Sequence, residues 1–340
     1  MIELRKPYLL FLGDVRVATD AKTAFGLRDW CRSDVVGQWA FPEAKVDLGL
    51  PVLSPEAAAA QGCQSLVVGI APVGGVLPPH WIAELEKALL AGLDVVSGLH
   101  TRLASIPRLV AAAKQSGRRL VDVRDPSGPV TVASGRKRVG LRVLTVGTDC
   151  ALGKKYTALA LTRELKAAGA AATFRATGQT GIMISGAGTP IDSVVADFVA
   201  GAAEALSPDN APDHWDVIEG QGSLFHPAYA SVTLGLLHGS QPDAIVLCHD
   251  PTRLHIEGYP GFSIPELDVV IDAYLRAGRL TNSKIRCVGL SVNSSTLSQK
   301  SWHEYRKQQS ERLGIPVCDP MREGVRPFAQ ALSGQNAGAH

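Results

Sequence analysis

The residues whose types and spacing most clearly indicate chemistry form one stretch, Gly147-Thr148-Asp149-Cys150-Ala151-Leu152-Gly153-Lys154. Glycines allow the backbone to curl so that successive N–H groups point inward, and the N-terminus of a following helix adds partial positive charge. A lysine at the start of that helix supplies a mobile cation. The stretch therefore predicts a phosphate-binding loop. Its expected contacts to a cofactor come from Gly147, Thr148, Asp149, Cys150, Gly153, Lys154, Lys155 and Tyr156.

Two features distinguish this stretch from the standard nucleotide-binding loop. Residues 148–152 separate Gly147 from Gly153, one residue more than the standard loop has. The position after the lysine normally carries a Ser or Thr that holds Mg²⁺, but here it is Lys155. These features weaken the hypothesis of Mg-ATP hydrolysis and leave phosphate binding in place. The remaining alternative is an ordinary glycine-rich turn that binds no ligand.

Three more polar clusters follow predicted strands, at the strand ends where an open α/β sheet binds its ligands. They are Arg175-Ala176-Thr177-Gly178-Gln179, Glu219-Gly220-Gln221-Gly222-Ser223 with His226, and His249-Asp250 with Arg253. Glu219 or His226 could deprotonate an amine. Asp149 is either a base, a water-mediated metal ligand or a cap of the loop's own amides. Arg253 is a natural clamp for a carboxylate or a phosphate, because guanidinium binds either group through two hydrogen bonds.

The remaining candidate residues carry weaker signals. Asn293 follows another predicted strand, at a position where related folds recognise a nucleotide base. His249 and Asp250 either form an acid–base pair or merely end their strand. Lys22 lies in Asp20-Ala21-Lys22-Thr23-Ala24, where it contacts either ligand or solvent.

Composition bounds the possible function classes. At 340 residues the chain exceeds the usual size of one domain. A net charge of +2, without a basic run containing aromatic residues, argues against nucleic acid as a partner. From the sequence we expect no leader and no segment that spans a membrane, and the six scattered cysteines fit a reducing cytoplasm. We predict no metal site, because no group of cysteines and histidines has ligand spacing.

Apolar runs alternate with helical segments along the chain, which predicts parallel sheets covered by helices on both faces. Strands are predicted at 8–12, 66–70, 94–98, 120–123, 142–146, 171–175, 215–218, 244–248 and 285–292. Helices are predicted at 82–90, 154–168 and 192–206. Turn-rich residues at 126–138 predict a boundary between two α/β domains, 1–132 and 133–340. The second domain is predicted to be a three-layer α/β sandwich.

Short stretches spread over nearly the whole chain together resemble one protein family, long catalogued only as a domain of unknown function. They are Ala21-Lys22-Thr23-Ala24, Gly147-Thr148-Asp149-Cys150 with Gly153-Lys154, Ala176-Thr177-Gly178-Gln179-Thr180-Gly181, Asp197-Phe198 with Gly201, Glu219-Gly220-Gln221-Gly222-Ser223, His226-Pro227, and Leu247-Cys248-His249-Asp250-Pro251-Thr252-Arg253. The family includes the DgcN-type D-glutamate N-acetyltransferases. The resemblance implies an α/β chain with an N-terminal Rossmann-like domain and a C-terminal P-loop domain similar to dethiobiotin synthetase, with a mostly parallel sheet.

The resemblance further implies transfer of an acetyl group from acetyl-CoA to the amine of an acidic amino acid, with D-glutamate the expected acceptor, in a homodimer or higher homo-oligomer. Backbone amides or Gln179 would then stabilise the thioester oxyanion, and Glu219 or His226 would act as the base. Arg175 and Arg253 would hold the acceptor's carboxylates. The other expected substrate contacts are Thr177, Gln179, Ser223 and Lys22.

Two other functions remain open at this point. The first is an ATP/Mg-dependent ligase or kinase of the dethiobiotin synthetase type, with Lys154 on the γ-phosphate and Glu219 on Mg²⁺. The second is a nucleotide-responsive binding protein without enzymatic activity.

Overall fold

The computed structural model describes residues 2–70, 75–125 and 131–334. The chain forms two compact units, unit 1 with residues 1–127 and 179–193, and unit 2 with residues 128–178 and 194–340. The units differ from the predicted domains chiefly in residues 179–193, which belong to unit 1. Residues 126–130 of the predicted boundary region lie outside the described residues. Within the described ranges, no helix combines the length and the apolar character needed to cross a membrane.

The strands of the described chain are numbered here in sequence order. They are β1 (Ile2–Glu3), β2 (Tyr8–Gly13), β3 (Val35–Ala40), β4 (Ser65–Val68), β5 (Asp94–Ser97), β6 (Leu120–Asp122), β7 (Leu141–Gly147), β8 (Ala172–Arg175), β9 (Ala187–Gly188), β10 (Trp215–Ile218), β11 (Ala244–His249), β12 (His255–Ile256), β13 (Tyr259–Ser263), β14 (Arg286–Val292) and β15 (Val317–Cys318).

The α-helices connect these strands and are numbered in the same way. They are α1 (Lys22–Trp30), α2 (Pro55–Ala60), α3 (Ile82–Leu90), α4 (Pro107–Ser116), α5 (Lys154–Ala167), α6 (Gln179–Ser185), α7 (Val199–Leu206), α8 (Ala230–Ser240), α9 (Leu267–Arg279), α10 (Gln299–Leu313) and α11 (Arg326–Ser333).

Unit 1 contains a five-stranded parallel sheet in the order β3-β2-β4-β5-β6. All six residues of β2 are buried, as are all four of β4 and of β5. Strands that are apolar along their whole length need cover on both faces, and the connecting helices supply it. The short strands β1 and β9 pair antiparallel within the same unit.

Unit 2 contains a six-stranded parallel sheet in the order β15-β14-β11-β7-β10-β8. The register places Ile218 opposite both Leu144 and Arg175, and Cys248 opposite Gly147. Consequently the loops that follow β7, β8, β10 and β11 emerge at the same edge of the sheet. The predicted α/β architecture with mostly parallel sheets is confirmed.

One predicted helix is wrong at its start. Residues 192–206 were expected to form a single helix, but α7 begins only at Val199, after two short 3₁₀ turns. Val195 has φ −58° and ψ 139°, which is not helical, and it is 67% exposed. The β-branched pair Val194-Val195 has low helix propensity, which favours this interruption.

Candidate functional site

The predicted phosphate loop connects β7 to α5. Ala151 and Gly153 both have positive φ, at 55° and 101°, so the loop curls tightly before the helix begins. Gly153 caps α5 without any side-chain hydrogen bond to the first turn. The N–H groups at the start of this helix are therefore not covered by a capping side chain, which suits an anion.

Lys154 is buried and points back into the loop. Its Nζ donates to the carbonyl oxygen of Asp149 over 2.7 Å, and only 7% of the residue is exposed. Burial lowers the pKa of Lys154. A positive group held among loop carbonyls and amides can exchange its carbonyl partner for a phosphate oxygen.

Asp149 is fully buried, and both carboxylate oxygens accept hydrogen bonds. Oδ1 accepts from the Cys150 amide over 2.6 Å. Oδ2 accepts from Arg253 Nη1 over 2.9 Å and from the Glu257 amide over 2.8 Å. Asp149 therefore caps backbone amides and pairs with an arginine. Of the roles considered from the sequence, the structure favours the cap over the base.

Arg253 Nη1 also donates to the carbonyl oxygen of Cys150 over 2.8 Å and lies 3.3 Å from Glu257 Oε2. This nitrogen thus binds the phosphate loop itself rather than standing free as a clamp for an acceptor carboxylate. Arg253 was expected to hold substrate, and these contacts instead tie it to the shape of the loop.

Thr148 links the loop to the end of β11. Its Oγ1 lies 3.1 Å from His249 Nδ1, and its amide donates to the carbonyl oxygen of Cys248. Burial lowers the pKa of His249 to about 4, so its ring is neutral near pH 7. The neighbouring Asp250 bonds to Thr252 and to Asn293 Nδ2. Among the described residues, no hydrogen bond joins the side chains of His249 and Asp250, as an acid–base pair would require.

Glu219 follows β10 and is held by the segment after β8. Its Oε2 accepts from the amides of Thr177 and Gly178 over 3.0 and 3.1 Å, while Thr177 Oγ1 donates to its carbonyl oxygen over 2.7 Å. Gln221 Nε2 in turn donates to Thr177 Oγ1. The residue is 4% exposed, and the two amides orient its carboxylate. Such an arrangement fits a positioned acid or base.

His226 is buried between two tyrosines. Its ring centroid lies 4.5 Å from that of Tyr229 and 5.1 Å from that of Tyr259. Its Nδ1 accepts a hydrogen bond from the Ala228 amide over 3.1 Å. The ring is therefore fixed in both position and orientation.

A donor atom of His226, the Sγ of Cys150 and a carboxylate oxygen of Asp149 lie within 4.8 Å of one another. The chemistry of this group argues against a bound cation. Arg253 already pairs with the Asp149 carboxylate, and the Ala228 amide already donates to His226 Nδ1. Burial also raises the pKa of the Cys150 thiol. A thiol kept protonated is also a poor nucleophile.

Lys155 occupies the position of the missing Mg-binding hydroxyl. Its Nζ lies 4.4 Å from the centroid of the Tyr156 ring, and burial lowers its pKa while the Glu219 carboxylate acts in the opposite direction. The next hydroxyl, Thr157 Oγ1, donates to the Gly153 carbonyl oxygen and lies 2.7 Å from Ser291 Oγ. The Thr157 hydroxyl is therefore bonded within α5 and to a buried serine of β14.

A cavity of about 290 Å³ opens beside the phosphate loop. Its walls come from Ala151, Leu152, Gly153, Tyr156, Ser291, Val292, Asn293, Asp319, Pro320 and Met321. Asn293 thus lines the same cavity as residues of the loop, and its recognition of a base stays a prediction. The region around β15 was missed, because 319–321 carries no motif that would mark it as a wall.

Two other predicted substrate contacts have internal partners. Arg175 Nε donates to Asp216 Oδ1 over 2.8 Å, within the strand pair β8–β10. Ser223 is fully buried in a turn, where its Oγ accepts from the Phe225 amide over 3.4 Å. Their predicted roles toward substrate lose support, since Arg175 Nε and the Ser223 hydroxyl are used within unit 2.

Gln179 and Lys22 lie in unit 1. Gln179 begins α6 and packs so closely on Gly98 that a Cβ built there would lie 2.0 Å from Gln179 Oε1. Lys22 begins α1 and is exposed. Their expected roles toward substrate stay predictions.

Tyr274 was not anticipated from the sequence. Its hydroxyl donates to the Gly147 carbonyl oxygen over 2.8 Å and accepts from the Leu224 amide over 3.2 Å. It therefore joins the phosphate loop to the turn that precedes His226. A tyrosine on an amphipathic helix gives no local signal of such a role, because core packing produces the same pattern.

Comparison with known proteins identifies the family. The profile described as "Domain of unknown function (DUF1611_C) P-loop domain" matches residues 131–329, and that described as "Domain of unknown function (DUF1611_N) Rossmann-like domain" matches residues 34–126. The chain belongs to the DUF1611 family. The resemblance noted from short motifs is thereby confirmed over most of the sequence.

Relatives of known name match this DUF1611 protein along nearly its whole length. A D-glutamate N-acetyltransferase of Tritonibacter scottomollicae is 48% identical over 330 residues, covering 97% of this chain and 99% of the relative. A second, from a Pseudoalteromonas species, is 44% identical over 324 residues, covering 95% and 98%. The crystal structure of a DUF1611 family protein from Anabaena variabilis is 36% identical, with a TM-score of 0.83, and covers 97% of this chain and 100% of its own.

Proposed function

We propose that this DUF1611 protein transfers the acetyl group of acetyl-CoA to the amine of D-glutamate. The observation that carries the proposal is the 48% and 44% sequence identity, over nearly the whole chain, with two D-glutamate N-acetyltransferases. The phosphate loop supports it, because coenzyme A presents a pyrophosphate and a 3′-phosphate to a cradle of amides and lysine. The cavity beside Asn293 is a suitable place for its adenine ring.

The chemistry of the loop favours a ligand bound without Mg²⁺. Lys155 replaces the metal-binding hydroxyl, and Thr157 Oγ1 is used by the helix and by Ser291. A second cation beside Lys154 adds positive charge that phosphates of coenzyme A can use directly. The ATP/Mg-dependent ligase or kinase is therefore the less favoured function.

Glu219 is the proposed base. Acetyl transfer requires the acceptor ammonium to lose a proton to a base before its nitrogen attacks the thioester carbon. The new C–N bond forms, the C–S bond breaks, and the departing thiolate takes a second proton from the same nitrogen. Glu219 is suited to the first transfer because two amides fix its Oε2.

A thiol-release assay tests the proposal directly. The purified protein is incubated with acetyl-CoA and each member of a panel of D- and L-amino acids, and products are identified by mass spectrometry. We expect release of free coenzyme A and formation of N-acetyl-D-glutamate. Calorimetry with coenzyme A, ATP and Mg-ATP provides the counter-test. Tight Mg-dependent ATP binding without thiol release from any acceptor would overturn the proposal in favour of the ligase or kinase.

A further inference from the structure

We propose that His226 acts as a fixed hydrogen-bond donor, through Nε2–H, to an anionic oxygen of the acetyl donor, and is not the base. This inference rests on the proposed function for the identity of the donor. The oxygen is either a phosphate oxygen or the thioester oxygen as it gains negative charge, and both sources ask for the same N–H group.

The protonation state follows from the Nδ1 contact. The Ala228 amide donates its proton to Nδ1 over 3.1 Å, so Nδ1 carries a lone pair and no hydrogen. A neutral imidazole has one N–H, which must then be on Nε2. To serve as a base through Nε2, the ring would have to move its proton to Nδ1, where it would face the Ala228 N–H. The backbone thus selects the donor form of the ring.

The surroundings of His226 hold that form in place. The residue is 3% exposed, with the rings of Tyr229 and Tyr259 packed against it. Its Nε2 has no hydrogen-bond partner among the described residues. This nitrogen is not sealed in the interior, so an oxygen of a bound ligand can reach it and accept its hydrogen bond.

The position of the ring identifies the ligand as the one held by the phosphate loop. A nitrogen of His226 lies within 4.8 Å of both Cys150 Sγ and an Asp149 oxygen, at the beginning of that loop. Asp149 already accepts from Arg253 and from two amides. The donor capacity of His226 is consequently left for a ligand, at the edge of a cradle made of other N–H groups.

Two substitutions of His226 distinguish a role as hydrogen-bond donor from a role as base. His226→Asn places an amide oxygen near the Nδ1 position, where it can accept from Ala228, but it has no group at Nε2. His226→Gln reaches the Nε2 position with an NH₂ donor and cannot act as a base at neutral pH. We expect both kcat and the affinity for coenzyme A of the Gln variant to stay within about fivefold of the wild type. In the Asn variant, one of these two quantities should fall about tenfold or more. Circular dichroism and thermal melting confirm that both variants fold.

Two readouts distinguish the source of the oxygen. Calorimetry measures the Kd for coenzyme A and for adenosine 3′,5′-bisphosphate, which has no thioester arm. A raised Kd for both ligands in the Asn variant would show that the oxygen belongs to a phosphate. A lowered kcat with unchanged Kd reports the thioester oxygen. A raised Kd or a lowered kcat in the Asn variant supports the proposal, if the Gln variant restores the same quantity. Equal activity and affinity of the Asn variant and wild type, or equal loss in both variants, would overturn it.

The tautomer is measured independently of any activity. In ¹⁵N-labelled protein at pH 7.5, long-range ¹H–¹⁵N correlations of the His226 ring, assigned by its loss in His226→Gln, show which nitrogen is protonated. We expect a protonated Nε2 and an unprotonated Nδ1, and a protonated Nδ1 would refute the inference. The calorimetric and NMR results stand even if the protein shows no acetyl transfer, so failure of the proposed function is distinguishable.

Discussion

Arg253 and Asp149 form an ion pair in which Nη1 lies 2.9 Å from Oδ2 of a fully buried carboxylate. The same Nη1 donates to the carbonyl oxygen of Cys150, so one nitrogen holds both the side chain and the backbone of the phosphate loop. The loop's shape therefore depends on a residue that lies about a hundred positions later in the sequence. This dependence changes what is expected of mutations at Arg253.

Replacing Arg253 by Ala is expected to damage cofactor binding and stability together. The change leaves the buried Asp149 carboxylate without its cation, which typically destabilises a protein by about 3 kcal/mol. We expect at least about a tenfold rise in the Kd for coenzyme A by calorimetry. Arg276→Ala, at an arginine whose side chain is 77% exposed on α9, is the control. If only the KM for the amino acid rose, Arg253 would return to the substrate role predicted from the sequence.

Lys154→Ala removes the cation that contacts the loop carbonyl of Asp149. We expect the Kd for coenzyme A to rise at least about tenfold, because a charge-assisted hydrogen bond to phosphate is lost. Lys166→Ala tests for a general charge effect, since Lys166 is exposed in the last turn of the same helix. Calorimetry that shows equal affinity for both variants and the wild type would exclude the loop as the phosphate site.

The free energy of unfolding is expected to decrease as the pH is lowered, because of His249. Its folded-state pKa is about 4, below the ordinary value of 6.5, because burial disfavours the imidazolium. Above pH 6.5 the ring is neutral in both states. Between pH 6.5 and 4 the unfolded chain binds a proton that the folded chain does not, so the free energy of unfolding decreases, by about 2–3 kcal/mol at most.

Denaturant unfolding at several pH values measures this effect as the difference between wild type and His249→Asn. The variant keeps a polar partner for Thr148 but cannot titrate. It should lose less stability than the wild type between pH 6.5 and 4. Parallel pH curves for the two proteins would mean that His249 is not the titrating group.

Glu219→Gln tests the proposed base. Gln presents the same shape, and its side-chain oxygen can still accept from the Thr177 and Gly178 amides. We expect kcat to fall about a hundredfold or more while the Kd for coenzyme A changes little, because only proton transfer is removed. Glu304→Gln, at an exposed position of α10, is the matched control. A kcat close to that of the wild type would eliminate Glu219 as the base.

Gly220→Ala is expected to disrupt the turn that carries Glu219. A Cβ at this position would lie 1.7 Å from the Thr145 carbonyl oxygen, so the backbone of β7 or of the turn must move. Overpacking against main chain typically costs about 1–3 kcal/mol, and here we expect the upper end or failure to fold. Gly261→Ala, where no atom lies within 4 Å, should be nearly neutral. Thermal melting of the two variants compares them directly.

The sequence predicted the strands that carry the site because they are apolar throughout and end in polar clusters. The strand prediction at 215–218 coincides with β10, and the predicted helix at 154–168 differs from α5 by one residue. The ion-pair partners of the side chains at the site were not predicted. Arg175 and Arg253 were assigned to substrate from residue type and from the activity that the family resemblance implies. Their ion pairs with Asp216 and Asp149 depend on long-range contacts that no local pattern specifies.

The segment after β8 shows the same limit for secondary structure. It contains glycines at 178, 181, 186 and 188, yet residues 179–185 form the helix α6, in which Ile182 and Met183 are buried. Helix propensity alone disfavours this outcome, and tertiary packing of the apolar residues overrides it. No local signal in the sequence shows that the segment belongs to unit 1.

Because residues 179–193 belong to unit 1 while the chain on either side belongs to unit 2, no single cut separates the two halves. A fragment beginning at residue 131 would carry α6 and β9 without β1, the strand with which β9 pairs. Ile182 and Met183 would then be exposed to water and would promote aggregation. Dissecting this protein for separate expression requires excising the insertion and rejoining Gly178 to Val194 through a designed linker.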